Sequence, residues 1–184
     1  MKSLPVLAAA LTLAGFSSVA SASVVNRAIS EAEVRAAQVG WCKALVDISQ
    51  TGQKDGPAAA KALAEKVIDS AYGYQMGAVL FKPTLTTTPQ TFRTTRAGAL
   101  AYFVGGDSNF PKDKGFALNN WTACKAKNAA VFIAGDSASS MGNVSITDKA
   151  GKVTTVDKTW TYVKDDAGKL RIVVHHSSLP YTGN

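Results

Sequence analysis

The first clear pattern in the chain is a run of apolar residues at helical spacing, which predicts an amphipathic helix. The sequence at residues 30–33 is a capping box that marks its start, and Gly52 is expected to end it. The stripe that this helix would bury consists of Val34, Ala37, Trp41, Ala44, Leu45 and Ile48.

Two shorter helices are predicted to follow. Pro57 is placed at the first turn of the second helix, where proline is favoured, and Gly73 closes that helix. A third helix is predicted over residues 97–104, with Thr94 or Thr95 as its N-cap.

The rest of the chain alternates apolar and polar residues, which is typical of β-strands. Helices followed by a run of antiparallel strands predict an α+β domain. An N-terminal helical layer packed on a curved antiparallel sheet would form a cone with an internal pocket. The predicted strands cover residues 78–81, 117–124, 129–134, 144–147, 153–163 and a last strand from 171.

The N-terminal stretch has the pattern of a secretory signal peptide. Lys2 supplies a positive charge, residues 4–16 are apolar, and Ala20 and Ala22 match the small residues of a cleavage site. We expect residues 1–22 to be removed, which leaves a single soluble domain over residues 23–184 without a membrane anchor. In a Gram-negative bacterium that domain would be periplasmic.

Charge and cysteine content narrow the classes of partner. The formal net charge is +7, but the lysines, Lys158 among them, are scattered and are interpreted as a solvated surface. Nucleic-acid binding is therefore not expected. Cys42 and Cys124 are the only cysteines. A secreted domain permits a disulfide between them, but two buried free thiols fit the sequence at least as well.

The most informative segment is the end of the last strand, because it carries both histidines of the chain. His175 and His176 are adjacent, so in a strand they point to opposite faces and are poorly placed to bind one metal ion together. His175 shares a face with Ser177, which indicates a hydrogen-bonding polar site. The more core-like Ile172 and Val174 lie on the face of His176, so the pattern leaves open which histidine faces the interior.

Five blocks of sequence occur in order along the chain: YGY at 72–74, VLFKPT at 79–84, GALAYFVGG at 98–106, KGFA at 114–117 and HHSSLPY at 175–181. Together they resemble the iota-class carbonic anhydrases, and more narrowly their metal-free branch. The resemblance extends from about residue 30 to the C-terminus. It implies an NTF2-like cone, similar to the association domain of calcium/calmodulin-dependent kinase II, and a homodimer or larger homo-oligomer.

The resemblance implies reversible hydration of CO2 to bicarbonate with no metal or other cofactor. Carried over by motif, the pocket residues are Thr84, Tyr102, His175 and Ser177, while Ala101 stands where a serine is typical. The three hydroxyls could orient a water and bind a bicarbonate oxygen. His175 is the natural general base, since an unperturbed histidine titrates near pH ~6.5. Tyr102 could act as a phenolate only if its pKa were strongly lowered.

The fold alone is compatible with two other functions. One is a non-catalytic NTF2-like module that oligomerises or binds a small ligand. The other is an isomerase or dehydratase of the steroid-isomerase kind, but those enzymes place an Asp or Glu base in the cone, and the pocket blocks lack a carboxylate. Arg93 could attract an anion near the pocket, although an arginine in this setting more often has a packing role.

Overall fold

The helices of the domain lie in the first half of the chain and its long strands in the second. The computed structural model describes residues 27–183, so the predicted signal peptide, residues 1–22, lies outside the described part. The helices are α1 (Glu31–Asp55), α2 (Pro57–Ala71) and α3 (Arg96–Val104), and a single 3-10 turn covers Phe116–Leu118. The strands are β1 (Leu80–Lys82), β2 (Trp121–Ala134), β3 (Ser137–Asp148), β4 (Val153–Lys164) and β5 (Leu170–Ser178).

The strands form one mixed sheet in the order β1-β5-β4-β3-β2. The pairs from β2 to β5 are antiparallel, as predicted. β1 pairs with β5 in parallel, so the expectation of a wholly antiparallel sheet is wrong at this edge. Strands joined by a short hairpin must be antiparallel, whereas a long connection separates β1 from β5 and permits the parallel pairing.

The start of α1 is confirmed and its predicted end is wrong. The Ser30 side chain accepts a hydrogen bond from the Glu33 amide, and the Glu33 carboxylate accepts one from the Ser30 amide, which completes the capping box. The helix continues through Gly52, which lies in a tight contact where an added Cβ would come within 3.0 Å of Leu118. Gly56, with a φ of +87°, ends the helix instead.

β2 and β3 are longer than predicted and form one bent hairpin. The two strands expected between residues 117 and 134 are largely one strand, β2, which a bulge bends next to Asn128. Across from the bulge, an added Cβ on Gly142 would lie 2.1 Å from the Lys127 carbonyl oxygen, so this close approach requires glycine. β3 begins well before residue 144. The residues in its first part are mostly small or polar and have a low propensity for strands, so the sequence did not predict this part.

A disulfide joins α1 to β2. Cys42 and Cys124 are bonded, with their Cα atoms 5.1 Å apart. Of the two states that the sequence left open, the structure therefore has the bridge. Because the bonded residues are 82 positions apart in the chain, loop-closure entropy predicts a stabilisation of about 4–5 kcal/mol.

The helices cover one face of the sheet, and their apolar sides share one core with it. α1 lies against β2, α2 packs on α1, and α3 packs on α2. Among residues 27–183, no helix has both the length and the apolar character needed to cross a membrane. Large aromatic groups fill the core near the ends of β1, β4 and β5, among them Trp41, Tyr72, Phe81, Phe103 and Trp160.

Candidate active site

The register of β4 and β5 brings a lysine, a serine and a histidine to the inner face of the sheet. Lys158 lies opposite Ser177, and Trp160 lies opposite His175. Lys158 is 6 % exposed, His175 2 % and Ser177 1 %. On the other side of β5, Phe81 of β1 pairs with His175. The end of β5 therefore contributes two side chains, His175 and Ser177, to a buried polar cluster.

A β-bulge explains why His175 faces the interior. Ile172 and Val174 pair with neighbouring residues of β4, so Val173 between them is an extra residue in β5. The bulge shifts the inside–outside alternation of the strand by one residue. Ile172 and His175 are therefore both buried despite their odd spacing, whereas His176 is exposed. The apolar pattern and the position of His175 agree once this change of phase is included.

α3 supplies a tyrosine to the opposite wall. Thr95 caps this helix by accepting a hydrogen bond from the Gly98 amide at 3.1 Å, which fixes where the helix begins. Tyr102 lies on the buried side of α3. Its ring meets Phe81 edge to face with centroids 5.6 Å apart and stacks on Phe116 at 5.3 Å. The orientation of the phenol is thus set by aromatic packing.

The turn after β1 supplies a threonine hydroxyl. Thr84 follows the end of β1, and its hydroxyl forms a hydrogen bond with the Ser177 hydroxyl. The carbonyl oxygen of Ser177 accepts a hydrogen bond from Lys82 Nζ at 3.3 Å. These contacts hold the ends of β1 and β5 together and keep two hydroxyls side by side.

One small cavity joins these groups. Its volume is about 10 Å³, roughly what one water molecule requires. No carboxylate lines this cavity among the described residues. Its polar lining is Thr84, Tyr102, Lys158, His175 and Ser177. Its apolar lining is Trp41, Phe81, Pro83, Phe103, Phe116, Ile146 and Val156.

A chain of hydrogen bonds runs from the cavity into the helical layer. Lys158 Nζ lies 2.8 Å from His175 Nε2, and His175 Nδ1 lies 2.8 Å from the Tyr72 hydroxyl. That hydroxyl accepts a hydrogen bond from Trp41 Nε1 at 2.9 Å. The His175 ring also stacks on Phe81 with centroids 4.3 Å apart. Both ring nitrogens of His175 are therefore occupied by protein partners.

Burial moves the pKa values of the cavity groups toward their neutral forms. It lowers the pKa of Lys158 from 10.5 to about 7. Burial, and then the charge of Lys158, lower the pKa of His175 well below its ordinary value. Burial raises the pKa of Tyr102, so at neutral pH this group is a phenol that can donate a hydrogen bond, not a phenolate. The pKa of Tyr72 is raised for the same reason.

Comparison with known proteins assigns the family. The family described as metal-independent carbonic anhydrase matches residues 32–179. The chain belongs to this family. The metal-independent carbonic anhydrase of the cyanobacterium Nostoc is 69 % identical over 158 residues, which are 86 % of this chain and 77 % of that protein. Family membership decides for a carbonic anhydrase and against the non-catalytic and isomerase alternatives.

One solved structure agrees with this assignment, and a second supports the fold. A cyanobacterial iota-carbonic anhydrase in complex with bicarbonate is 66 % identical, with a TM-score of 0.85, and the match covers 89 % of this chain and 100 % of that one. A calcium/calmodulin-dependent kinase II association domain from Xanthomonas campestris has a TM-score of 0.56 at 24 % identity, covering 88 % and 95 % of the two chains. The predicted NTF2-like α+β fold is confirmed for this carbonic anhydrase.

The structure of this carbonic anhydrase brings the four residues predicted by motif into one cavity. Thr84, Tyr102, His175 and Ser177 all line it, and their roles in the reaction stay predictions. Arg93 lies outside the lining, in a buried ion pair with Asp113. Within residues 27–183, no group of three or more His, Cys, Asp or Glu side chains is placed to hold a metal ion.

Sequence reasoning missed three members of the cluster. Lys158 was interpreted as a surface charge, but it is buried in the cavity wall. A signal for this was present, because Lys158 has the same phase in β4 as the apolar Val156 and Trp160. Tyr72 and Trp41 were assigned to a sequence block and to a helix stripe, and no sequence feature shows that both connect to His175 through hydrogen bonds.

Proposed function

We propose that this carbonic anhydrase converts CO2 and water to bicarbonate in the cavity at the end of β5. The observation that carries the proposal is the meeting of the Thr84, Tyr102 and Ser177 hydroxyls with an otherwise largely aromatic and aliphatic lining. The similar cyanobacterial enzyme was solved with bicarbonate, so the same reaction product is expected to bind here.

The apolar lining suits the uncharged substrate. CO2 carries no net charge and gains little from water, so a site walled by Phe81, Phe103 and Phe116 favours it over ions. The low local dielectric also strengthens any hydrogen bond made inside the cavity. The water that attacks CO2 is thus held among fixed polar groups rather than in bulk solvent.

The hydroxyl groups suit the charged product. Negative charge develops on the CO2 oxygens as the new C–O bond forms, and preorganised donors stabilise it. Tyr102 is protonated at neutral pH because burial raises its pKa, so its phenol donates to one of these oxygens. Thr84 and Ser177, which share a hydrogen bond, donate to another or orient the attacking water.

Tyr102 lies at the boundary between the cavity and a second pocket. Tyr102 and Phe116 line both the cavity and an outer pocket that also contains Lys112 and Lys114. Rotation of these two stacked rings would open the cavity for CO2 to enter, and the two lysines would favour the departure of bicarbonate toward the outer pocket.

Three substitutions that remove one hydroxyl each test the proposed site. Tyr102→Phe, Ser177→Ala and Thr84→Val should each lower kcat/KM for CO2 hydration by ~10²–10³-fold, the usual effect of losing one such donor. Tyr74→Phe is the matched control, because the Tyr74 hydroxyl donates to the Arg93 carbonyl outside the cavity. Wild-type rates in all three variants would place the reaction elsewhere.

We also propose that the enzyme is a homodimer or a larger homo-oligomer. Phe132 and Met141 are 71 % and 61 % exposed, and the register places both on the outer face of the β2–β3 hairpin. Clusters of this kind commonly mark interaction surfaces. Light scattering should give at least twice the mass of one chain, and Phe132→Ser with Met141→Ser should reduce it. A monomer at micromolar concentration would contradict the proposal.

Export across the inner membrane, with cleavage after Ala22, is proposed from the N-terminal sequence. The Cys42–Cys124 disulfide supports it, since such bonds persist in oxidising compartments such as the periplasm. N-terminal sequencing of the protein from a periplasmic fraction should begin at Ser23. Recovery of the full chain in the cytoplasm would contradict export.

A further inference from the structure

Hydration of CO2 releases a proton, and the cavity has few groups that can take it. Hydroxyl groups are weak bases, and the phenol of Tyr102 is already protonated. His175 has no ring nitrogen left for a water molecule, because Tyr72 occupies Nδ1 and Lys158 occupies Nε2, both at 2.8 Å. The remaining basic nitrogen in the lining is the amine of Lys158, since the indole nitrogen of Trp41 can only donate.

We propose that the Lys158 amine is the proton acceptor of the hydration step, and that His175 is the residue that positions it. The inference rests on the proposed location of the reaction in this cavity. Lys158 lies directly opposite Ser177 in the sheet and lines the cavity with it. Its Nζ lies over the rings of Trp41 and Trp160, at 4.9 and 5.5 Å from their centroids.

No carboxylate holds Lys158 in its charged form. The ion pairs among residues 27–183 do not include it. A buried lysine without an acidic partner loses its proton readily, because the apolar surroundings disfavour the charge. This distinguishes Lys158 from Lys164, which is buried in the same strand but pairs with Glu33 at 2.8 Å.

The proposed role of Lys158 requires one particular tautomer of His175. A lysine amine donates hydrogen bonds in both charge states, but it can accept one only when neutral. The bond therefore persists throughout the reaction only if Nε2 of His175 is unprotonated. His175 then carries its proton on Nδ1 and donates it to the Tyr72 oxygen, which also accepts from Trp41. This chain fixes the position of the amine and leaves its lone pair free to accept a proton.

The step balances without any further reagent. An O–H bond of the attacking water breaks, and its proton goes to the lone pair of Lys158 Nζ. The water oxygen forms a bond to the carbon of CO2, and one C=O electron pair moves onto oxygen, which gives bicarbonate beside an ammonium group. Once bicarbonate leaves, the ammonium is unpaired in an apolar site, so it releases its proton to solvent water or buffer. In the reverse direction Lys158 is the acid.

The expected pH dependence follows from the groups around the amine. His175 contacts it from β5, and Tyr102 lines the same cavity from α3, while Tyr72, at the end of α2, contacts the other ring nitrogen of His175. The pKa values of both tyrosines are raised and that of His175 is lowered, so none of them changes charge near neutrality. The pKa of Lys158 is about 7. Hydration should therefore increase with pH through neutrality as the amine becomes neutral.

Stopped-flow CO2 hydration across this pH range tests the assignment on the wild-type enzyme, Lys158→Met and Lys158→Arg. We expect kcat/KM above neutral pH to fall by ~10²–10⁴-fold in both variants. Lys164→Met, which removes the other buried lysine of β4, should keep the wild-type pH profile. A Lys158→Arg enzyme that retains full rate would overturn the proposal, since arginine keeps the charge but cannot serve as a base.

A second measurement does not depend on a variant. Wild-type enzyme with ¹³C at the lysine ε carbons should show one lysine that titrates near neutral pH, and its absence would overturn the proposal. If Tyr102→Phe and Ser177→Ala slow the reaction but Lys158→Met does not, the cavity is the site and Lys158 is not the base. If none of these variants slows it, the proposed site itself is wrong.

Discussion

Two basic side chains, Arg93 and Lys158, are both nearly fully buried, at 2 % and 6 % exposure, but they have opposite surroundings. Arg93 donates to both carboxylate oxygens of Asp113, from Nε at 2.8 Å and from Nη2 at 2.7 Å. Lys158 meets a neutral ring nitrogen of His175 and two indole faces. The positive charge of Arg93 therefore has a carboxylate as its counter-charge, whereas Lys158 has none.

The difference separates a structural role from a chemical one. A buried ion pair with two parallel hydrogen bonds keeps both partners charged, and losing either partner is costly. A buried amine without a carboxylate can gain or lose its proton near neutral pH. Tyr102 has contact with both regions, because it lines one pocket with Asp113 and the cavity with Lys158.

The Arg93 region acts as a support for the cavity wall. The Arg93 amide donates to the Phe81 carbonyl in β1 at 2.8 Å. Its guanidinium lies over the Phe110 ring, 4.6 Å from the centroid. Because Arg93 also pairs with Asp113, this arginine connects β1 to the segment that precedes Phe116. This arrangement explains why Arg93 is buried although it does not line the cavity.

The largest effect that we predict comes from breaking the balanced pair. Asp113→Asn leaves the Arg93 charge buried without a counter-charge, which should lower the free energy of unfolding by about 3–5 kcal/mol. Urea denaturation measures this loss. Asp166→Asn, at an ion pair whose aspartate is almost fully exposed, is the control and should show no measurable loss. If the Asp113→Asn variant were as stable as the wild type, the Arg93–Asp113 ion pair would not have the structural role that distinguishes Arg93 from Lys158.

The second prediction concerns the stability contributed by Lys158. Its folded pKa of about 7 lies below the 10.5 of an unperturbed lysine, so the unfolded chain binds more protons between these pH values and wild-type stability rises with pH there. Lys158→Met has no such dependence. Relative to wild type, it should therefore be most stable below pH ~7, and this advantage should decline, by on the order of a few kcal/mol, as pH approaches 10.5.

Urea denaturation of both proteins at several pH values measures this difference. Lys164→Met is again the comparison, since Lys164 has a carboxylate partner. A difference between Lys158→Met and wild type that stays constant across the pH range would mean that Lys158 is charged in the folded state, as Arg93 is.

The third prediction separates the two histidines by their contact with Lys158. His175→Ala removes the partner of Nζ and opens the cavity to water, so the pKa of Lys158 should rise toward its ordinary value. We expect a rate about 10–100-fold lower at neutral pH and an inflection of the pH–rate profile at higher pH. His176→Ala should match wild type, because His176 is exposed. An unshifted inflection in His175→Ala would refute the positioning role.

The sequence predicted much of the fold because the deciding signals are local. The Ser30 capping box, the Thr95 cap and the helix stripes depend on spacing along the chain. The facing of the β5 side chains could not be derived by strict alternation, because the Val173 bulge changes the phase inside the strand. Bulges depend on how neighbouring strands twist, which a single strand does not reveal.

The candidate site was predicted in part for a similar reason. The motif blocks identify Thr84, Tyr102, His175 and Ser177, all of which line the cavity. They do not identify Lys158, which lies in a strand between the blocks and meets His175 only through pairing of β4 with β5. Alternation in β4 gives the phase of Lys158, but not the absence of a carboxylate on the facing elements. Burial lowers the pKa of Lys158, and no carboxylate there opposes this effect.

The smallest effect that we predict is no change at all, on removal of metal ions. Metal-dependent carbonic anhydrases lower the pKa of a bound water with a cation, whereas here a neutral amine takes the proton directly. Thorough chelation should leave the CO2 hydration rate unchanged, with zinc well below one ion per chain by elemental analysis. A zinc carbonic anhydrase treated in parallel should lose its activity and shows that chelation was complete. Activity that is lost on chelation and returns with zinc or manganese would show that a metal ion, and not Lys158, makes the attacking water reactive. Lys158 and Arg93 would then differ only in how they are packed.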